Sequence, residues 1–403
     1  MAPMKIFVVN CGSSSVKYNV FEMPAESVLA RGVVERVGTG EAHLTHEVGP
    51  DREERPVEAA DPEQGLRVVI EALTAGRSPA IDSLEAIDAV GHRVVHGGEE
   101  MSDSVRIDAS VLEVVRRYAP LAPLHNPANL AGIAAARRVL PEAPHVAVFD
   151  TAFFAALGPE AYRYAVPAEW YAQHGVRRYG FHGTSHRYVT ARAAELLGKT
   201  PGEVNLITAH LGNGCSMTAV AGGRAVDHSL GMSTLEGLMM GTRCGDLDPG
   251  VVLHMLRAGL SGDAVADALS RRSGLLGVSG VSNDMRDLVA RAAEGHEAAD
   301  LAIEMFVYRM AKYVGAYTAI LPPLDAVVLT GGIGENSVPV RSRLCRRLAG
   351  LGAICDEARN AAATAGRAGA ITTDASPLSV WVVPTDEELM IARDTAAVVA
   401  AAR

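Results

Sequence analysis

The chain repeats one local pattern, and this repetition limits the folds available to it more than any other feature. Residues 5–20 consist of an apolar run, a turn of glycine and small polar residues, and a second run, and residues 205–220 repeat that order. Each copy predicts a β-hairpin. A third glycine-rich turn, residues 331–336, follows the apolar run 326–330. Two similar halves predict a duplicated α/β domain with a cleft between the copies.

The rest of the chain alternates strand-like and helix-like segments, and its 403 residues fit two domains better than one core. Several strand candidates are continuous apolar runs, as buried central strands are. The predicted strands are residues 5–9, 16–21, 86–93, 146–149, 205–209, 326–330 and 379–383. We predict a helix that Asn126 caps and that runs to Leu140, and a capping box at residues 385–388 that opens the last helix.

Charge and cysteine content restrict the partners and the compartment. The formal net charge of −10 should repel nucleic acid and anionic membranes, so we expect neither as a partner. Because the whole chain is negatively charged, a phosphate ligand would need cations close to its binding site. Arginines in glycine-rich loops are therefore candidates for such a site. Five cysteines without a CxxC pair argue against a disulfide framework and favour the cytoplasm. We find neither a signal-peptide-like run at the start nor an 18-residue apolar span.

The first glycine turn has the composition of an anion-binding site. Small hydroxyl residues around a glycine expose backbone N–H groups to an anion. In extended backbone Ser13, Ser15 and Lys17 fall on one face, which offers two hydroxyls and a cation to phosphate oxygens. An ordinary hairpin with a solvated lysine explains the same residues equally well.

Two arginines lie among glycines. Arg93, within residues 91–98, can grip a carboxylate through two parallel hydrogen bonds, although a surface arginine at a turn has the same context. Arg243, within residues 240–249, can stabilise a transferring phosphoryl group. The alternative for Arg243 is a surface salt bridge to Asp246 or Asp248.

Three further residues allow both a functional and a structural interpretation. Asp150 directly follows a buried strand, where ligands bind in open α/β sheets, but aspartate also forms turns. His182 and His186 are four residues apart without the glutamate of a zinc HExxH motif. Glu387 falls in the first turn of the last helix, where the helix dipole alone would account for it.

Residues 197–200 resemble the end of a Walker A loop. The earlier glycine of that loop is replaced by Ala193, and no strand leads into the segment, so we interpret it as a helix end.

The order of the motifs resembles the acetate kinase family over nearly the whole chain. The segments that carry the resemblance are VNCGSSSVKY from Val9, GHRVVHGGE from Gly91, PLHNPAN from Pro123, FDTAF from Phe149, RRYGFHGTSH from Arg177, AHLGNGCS from Ala209, MGTRCGDLDPG from Met240, TGGIGEN from Thr330 and PTDEEL from Pro384. The family belongs to the actin-like ATPases, whose two duplicated domains have ribonuclease-H-like cores. The resemblance implies one domain of residues 1–151, completed by the helix 386–403, and a nucleotide-binding domain of residues 152–385.

The resemblance also implies ligands for ATP and its metal. Asn10 and Glu387 would hold magnesium, with manganese as the alternative. Ser13, Ser15 and Lys17 would face the transferred phosphate. The second phosphate loop would consist of His210, Leu211, Gly212, Asn213 and Gly214. The adenosine would be held by Asp284, Met285, Arg286, Gly331, Gly332, Ile333, Gly334 and Glu335.

For the acyl substrate, the resemblance implies that Arg93 binds the carboxylate, while His182 and Arg243 stabilise the phosphoryl group in flight. The pocket for the methyl group would be lined by Val95, Leu124, Phe181 and Thr234. The family's aspartate, here Asp150, is often given a proton-transfer role. We expect it to orient an arginine or a metal-bound water instead, because the acid is already ionised at neutral pH.

Three positions depart from the family pattern. Phe154 stands where many members have histidine, and Cys244 replaces the usual serine beside Arg243. Thr234 stands where a pocket proline is common, which leaves the acyl-chain preference open.

The implied reaction is reversible, direct in-line transfer of the γ-phosphoryl group of ATP to acetate, giving acetyl phosphate and ADP. Propionate would be a secondary substrate, and the family suggests a homodimer. One alternative is a butyrate or branched-acid kinase with a roomier pocket. Another is an ATP-hydrolysing chaperone or filament protein of the actin type, which would need no acceptor-binding arginine at position 93. The presence of the Arg93, His182 and Arg243 segments together argues against the latter.

Overall fold

The computed structural model describes residues 3–12, 14–123 and 125–402. Its backbone divides into two compact units, Met1–Ala155 with Asp386–Arg403, called the first unit, and Ala156–Thr385, called the second unit. The domain boundaries and the cleft expected from the sequence stay predictions. Among the described residues, no helix is both long and apolar enough to cross a membrane.

The elements alternate along the chain. The strands are β1 (Met4–Cys11), β2 (Ser15–Met23), β3 (Ser27–Glu35), β4 (His43–Val48), β5 (Asp51–Pro56), β6 (Ala89–Val94), β7 (Val105–Arg106), β8 (His145–Phe149), β9 (Leu206–Leu211), β10 (Cys215–Ala221), β11 (Arg224–His228), β12 (Ala326–Thr330), β13 (Gly369–Ala370) and β14 (Val380–Val382). The helices are α1 (Pro62–Ala75), α2 (Ala109–Arg117), α3 (Asn126–Val139), α4 (Pro159–Tyr162), α5 (Ala168–His174), α6 (Gly183–Leu196), α7 (Pro249–Arg257), α8 (Gly262–Arg271), α9 (Gly274–Ser279), α10 (Met285–Ala293), α11 (Glu297–Ile320), α12 (Gly331–Asn336), α13 (Val338–Arg347), α14 (Glu357–Ala362) and α15 (Glu387–Ala401).

The two sheets share one strand order around their centres. In the first unit the order is β5-β4-β3-β2-β1-β6-β8-β7, with β1 antiparallel to β2 and parallel to β6. In the second unit it is β11-β10-β9-β12-β14-β13, with β9 antiparallel to β10 and parallel to β12. Each sheet therefore has a three-strand antiparallel meander followed by two parallel strands. This repeated order confirms the duplicated α/β fold that the two hairpins predict.

Strand β1 is central in the first unit because both of its faces are covered. Phe7 and Val9 pack in a core with side chains from β2, α1 and α3, including Leu66. Ile6 and Val8 are also fully buried, and α15 contacts β1 and β6. This double burial explains why the strand has a continuous apolar sequence instead of an alternating one.

The predicted cap of α3 is wrong. The helix begins at Asn126 itself, and this residue is completely buried. Its side-chain oxygen accepts from His96 N–H at 3.1 Å, and its amide nitrogen donates to Val115 O at 3.0 Å. A tertiary contact therefore uses the side chain that local sequence assigns to the helix end.

The predicted capping box of the last helix is also wrong. Asp386 is the N-cap of α15 and accepts from Leu389 N–H at 2.8 Å. Thr385 instead donates its N–H to Glu335 Oε1 at 3.1 Å. The third glycine-rich segment, residues 331–336, was predicted as a turn and is helix α12. By contrast, α6 ends at Leu196, which confirms residues 197–200 as a helix end.

Candidate active site

The hairpin of β1 and β2 presents one polar face near its turn. Asn10 and Lys17 are cross-strand neighbours. Val16 and Tyr18 are buried, so Ser15 and Lys17 lie together on the opposite face of β2. Ser13, the third residue expected on this face, lies outside the described residues.

Arg93 and Asp150 meet at the carboxyl ends of two neighbouring parallel strands, β6 and β8. Arg93 Nε lies 3.2 Å from Asp150 Oδ1, and Arg93 Nη2 lies 2.5 Å from Asp150 Oδ2, which makes a bidentate ion pair. Only 1 % of the Asp150 side chain is exposed. Burial lowers the pKa of Arg93, but attraction by Asp150 and Glu387 outweighs it and raises the pKa above its usual value.

Glu387 joins this pair from the first turn of α15, with its Oε2 atom 3.7 Å from Arg93 Nε. Burial raises the pKa of Glu387 to about 7, repulsion from Asp150 and Glu388 adds to the rise, and the two cations Arg93 and Lys17 oppose it. Negative charge is therefore in excess around Glu387 when all three carboxylates are ionised.

Two residues of the first unit carry oxygen donors of the kind that a hard divalent cation takes. Asn10 carries an amide oxygen at the end of β1, and Glu387 carries a carboxylate in the first turn of α15. Within residues 3–12, 14–123 and 125–402, no three His, Cys, Asp or Glu side chains converge as a complete protein metal cage. Magnesium ordinarily takes one or two carboxylates together with phosphates and waters, so the oxygen donors present fit it.

Helix α3 fastens the two loops that carry the first unit's candidate residues. Asn129 Oδ1 accepts from Val95 N–H at 3.1 Å, and Asn129 Nδ2 donates to Cys11 O at 3.0 Å. One amide side chain thus connects the strand end after Arg93 with the hairpin turn after Asn10. Val95 itself is buried. Leu124, expected in the acyl pocket, lies outside the described residues.

In the second unit, the turn between β9 and β10 is joined to the loop that carries Arg243. Asn213 accepts from Gly241 N–H at 2.9 Å through its backbone oxygen, and its Oδ1 accepts from Asn283 Nδ2 at 3.0 Å. A Cβ atom on Gly241 would lie 1.9 Å from Asn213 Oδ1, so a side chain at this position would displace the Asn213 amide.

Arg243 and His182 flank the same turn. A Cβ atom placed on Gly214 would lie 3.4 Å from Arg243 Nη1 and 3.5 Å from His182 Nε2. Glycine at this position therefore leaves room between the backbone and both side chains. The His182 backbone has φ +60°, a left-handed conformation that non-glycine residues adopt rarely.

The alternative salt bridges of Arg243, to Asp246 or Asp248, are not formed. Asp246 accepts from Tyr313 Oη at 2.9 Å and from Gly237 N–H at 2.8 Å. Asp248 caps α7 by accepting from Gly250 N–H at 2.8 Å.

The surroundings of Arg243 are neutral instead. Its Nη1 atom contacts Thr234 O at 3.4 Å and Met240 Sδ at 3.7 Å, and no carboxylate pairs with it among the described residues of its unit. Burial lowers the pKa of Arg243, with Cys215 opposing the shift. The guanidinium therefore retains a charge that no protein anion of this unit neutralises.

A cavity of about 670 Å³ opens beside the β9–β10 turn, a size suited to a small-molecule ligand. Seven residues predicted to bind the nucleotide line it: Gly212, Asn213, Asp284, Met285, Arg286, Gly332 and Ile333. Five further lining residues were not predicted: Asn283, Val289, Asn336, Ser337 and Pro339. The sequence signal that could have found these five residues was their closeness to the predicted segments. Val289 lies one helical turn beyond Met285, and the other four lie within four positions of a predicted residue.

The other second-unit residues predicted to bind the nucleotide are not among those that line the cavity. His210, Leu211 and Gly214 belong to the β9–β10 hairpin, and Gly331 and Gly334 belong to α12. Glu335 uses its carboxylate internally, because Oε1 accepts from Gly331 N–H at 2.9 Å and from Thr385 N–H at 3.1 Å.

The remaining candidate and atypical residues have identifiable surroundings. Phe181 is buried, and its N–H donates to His228 Nε2 at 3.2 Å. Phe154, in the first unit, is fully buried against Phe153. Cys244 is half-buried, and its N–H donates to Leu269 O at 3.1 Å. Neither Phe154 nor Cys244 displaces one of the charged candidates.

Comparison with known proteins decides the family. The model of the acetokinase family matches residues 5–393. The chain belongs to the acetokinase family. It is 48 % identical to the acetate kinase of Thermotoga maritima over 98 % of this chain and 99 % of that protein. It is also 48 % identical to the acetate kinase of Geobacter sulfurreducens, over 98 % of this chain and 94 % of that protein.

Solved structures of acetokinase-type enzymes agree with this membership. The crystal structure of the Porphyromonas gingivalis acetate kinase has a TM-score of 0.93 and 46 % identity, over 98 % of this chain and all of that chain. A propionate kinase from Francisella tularensis has a TM-score of 0.92 and 40 % identity, over 98 % of this chain and 99 % of that chain.

Proposed function

We propose that this acetokinase-family protein catalyses reversible transfer of the γ-phosphoryl group of ATP to acetate, giving acetyl phosphate and ADP, with propionate as a secondary substrate. The observation that carries the proposal is the charge of Arg243, which is half-buried beside His182 and the glycine turn of the cavity and pairs with no carboxylate among the described residues of its unit. Relatives named acetate kinase at 48 % identity and a propionate kinase structure at 40 % identity support the choice of acids.

The transfer requires positioning and charge stabilisation more than covalent catalysis. A short carboxylic acid has a pKa near that of glutamate, about 4.3, so its oxygen attacks phosphorus without a general base. Repulsion between this anion and the triphosphate is the main obstacle. This repulsion would be reduced at the phosphate by Arg243, His182 and Lys17. It would be reduced at the acid by Arg93.

Asp150 would orient Arg93 rather than move a proton. Its two oxygens hold the Nε–Nη2 edge of the guanidinium at 3.2 and 2.5 Å. A bidentate pair fixes the plane of the guanidinium, which in turn fixes the direction of the remaining N–H bonds. The acid would then be held through the Nη1 side.

Asn10 and Glu387 would hold magnesium, or manganese in its place, partly through water. The ion would neutralise phosphate charge during the transfer. The excess of carboxylate charge around Glu387 supports this assignment.

We also infer a homodimer in the cytoplasm. None of the side chains of α7 is buried, and Val251, Leu253 and Leu256 are 41 %, 51 % and 41 % exposed. Adjacent exposed apolar side chains are typical of a protein interface, and a second copy of this chain would cover them. All five cysteines are free thiols, which supports a reducing compartment. Sedimentation of the wild type and of Leu253→Glu tests the dimer.

A hydroxamate assay with ATP, magnesium and straight-chain acids from acetate to valerate tests the function. We expect acyl phosphate from acetate, less from propionate and little from longer acids. Preference for butyrate would favour the roomier-pocket kinase. ATP hydrolysis without acyl phosphate from any acid would favour the chaperone or filament alternative.

A further inference from the structure

A chain of buried hydrogen bonds leads through the second unit to His182. His186 is fully buried on α6, with Nδ1 at 2.7 Å from Thr208 Oγ1 and Nε2 at 2.7 Å from Ser216 Oγ. The same Ser216 oxygen lies 2.8 Å from His182 Nδ1. Thr208 and Ser216, on β9 and β10, are also fully buried. Each ring nitrogen of His186 is thus hydrogen-bonded to a hydroxyl. The Ser216 hydroxyl is also hydrogen-bonded to His182.

The number of protons in this chain restricts its direction. A neutral imidazole carries one N–H, and a hydroxyl carries one O–H. Burial lowers the pKa of His186 well below its usual value, with His210 adding to the shift, so the ring is neutral. His186 must therefore donate to one hydroxyl and accept from the other. If it donates to Ser216, the Ser216 O–H is directed to His182 Nδ1.

We propose that Thr208, His186 and Ser216 set the tautomer of His182 by donating along the chain in this order, so that neutral His182 carries its proton on Nε2. His186 and Ser216 are positioning residues in this account, since they act through His182. The choice of direction rests on the proposed function. Nε2 faces the Gly214 turn beside Arg243, where an N–H attracts phosphoryl oxygens and a lone pair would repel them.

The surroundings of the chain supply further polar and charged groups. The His210 ring stacks on His182 with centroids 4.4 Å apart, and Arg243 approaches from the 240–243 loop. The His228 ring lies edge-on to His186 at 5.3 Å. Because Phe181 N–H donates to His228 Nε2, neutral His228 donates from Nδ1 to Thr218 instead. A backbone N–H therefore defines the tautomer of a neighbouring ring.

Nitrogen NMR tests the tautomer directly on the full-length protein. Long-range ¹H–¹⁵N spectra of ¹⁵N-histidine-labelled enzyme at pH 8 distinguish protonated from bare ring nitrogens. The His182 and His186 signals are assigned by their loss in His182→Gln and His186→Gln. We expect the proton on Nε2 in both rings. A proton on Nδ1 of His182 would overturn the proposal. The tautomer is read without turnover, so inactivity towards acetate would refute the proposed function separately.

Kinetics of hydroxyl variants give a second test. Ser216→Ala and Thr208→Val should each lower kcat about 10–100-fold, as outer-shell losses do, with the KM values for ATP and acetate within about twofold. Thr208→Ser keeps the hydroxyl and should recover most of kcat. Thr190→Val is the matched control, because the Thr190 hydroxyl is buried on the same helix and bonds only to the His186 backbone oxygen at 2.7 Å. Equal losses in Thr208→Ser and Thr208→Val, or in Thr190→Val and Ser216→Ala, would contradict a hydrogen-bond role.

Discussion

Arg93 and Arg243 have similar sequence contexts and opposite electrostatic surroundings. Arg93, in the first unit, is bidentate with Asp150 and lies 3.7 Å from Glu387. Arg243, in the second unit, contacts a backbone oxygen and a thioether sulfur. The protein raises the pKa of Arg93 and lowers that of Arg243.

We propose that this difference gives the two cations different roles. A paired guanidinium is held in a fixed plane and offers only its remaining N–H bonds, which suits the orientation of a small carboxylate. A half-buried guanidinium that no carboxylate of its unit neutralises gains more from an incoming anion, which suits a phosphoryl group whose charge rises during transfer. The following substitutions test whether the two arginines differ in this way.

Arg243→Ala should have the largest effect. We expect kcat to fall by roughly a thousandfold or more, as for other arginines that stabilise a transferred phosphoryl group. The melting temperature should change little, because no ion pair within its unit is lost. Arg291→Ala is the matched control, since Arg291 is exposed and pairs with Glu294 at 3.2 Å. If kcat of Arg243→Ala falls tenfold or less, Arg243 behaves as an ordinary surface arginine and does not stabilise the phosphoryl group.

Asp150→Asn should have the next largest effect. We expect kcat/KM to fall by at least about 10–100-fold at every pH, because the partner that orients Arg93 loses its charge. A pH–rate profile separates this role from a base role. Clear recovery at high pH would favour proton transfer by Asp150. Asp103→Asn, at an exposed turn position of the same unit, should behave as wild type.

Thr234→Pro should change selectivity more than rate. One methylene in an apolar pocket is worth about 1–3 kcal/mol, so we expect the wild type to favour acetate over propionate by less than two orders of magnitude in kcat/KM. Butyrate should be markedly worse. The proline ring narrows the pocket and should shift the ratio towards acetate. It also keeps the carbonyl that contacts Arg243 Nη1 at 3.4 Å.

Kinetics of acetate, propionate and butyrate on both proteins test this prediction. Thr234→Val, which removes only the hydroxyl, is the control and should leave the pocket width unchanged. A wild type that prefers butyrate would overturn the acetate assignment itself.

Acidification should weaken the fold gradually. Burial lowers the pKa of His92, His186 and His228 well below 6.5 and that of His96 to about 4. Below pH 6.5 the unfolded chain binds protons that the folded chain excludes, so the free energy of unfolding falls as pH falls. Each such group contributes up to about 1.4 kcal/mol per pH unit.

Denaturant unfolding at pH 7, 6 and 5 measures this loss. Trp170 and Trp381, the chain's two tryptophans, both lie in the second unit and report on its buried His186 and His228. His174→Asn, which removes an exposed histidine, should leave the pH dependence unchanged. A free energy of unfolding that stays constant or rises towards pH 5 would contradict the neutral state of these rings.

Much of the fold was predictable because its signals are local. The two glycine hairpins appear as pairs β1–β2 and β9–β10. The continuous apolar runs are central strands, and the run 326–330 is strand β12 with the same bounds. Strands β3, β4 and β5 escaped prediction, since many of their residues are charged. They also have partners across the sheet, such as Glu47 for Arg31 at 2.5 Å, and these two residues are 16 positions apart, which no short local window reveals.

The sequence alone determined the α/β class, the duplicated hairpins and, through the order of its motifs, the acetokinase family, because these depend on residue type and spacing. Only the tertiary structure decided which arginine forms an ion pair with a carboxylate. It also decided which buried asparagine side chains form hydrogen bonds to the backbone. Asn126 and Asn129 bind strand ends from 30 to 118 residues away, and Arg93 reaches Asp150 across 57 residues. Such partners meet because parallel strands bring distant chain segments to one sheet edge, and the charge and hydrogen bonds of a side chain depend on what it meets there.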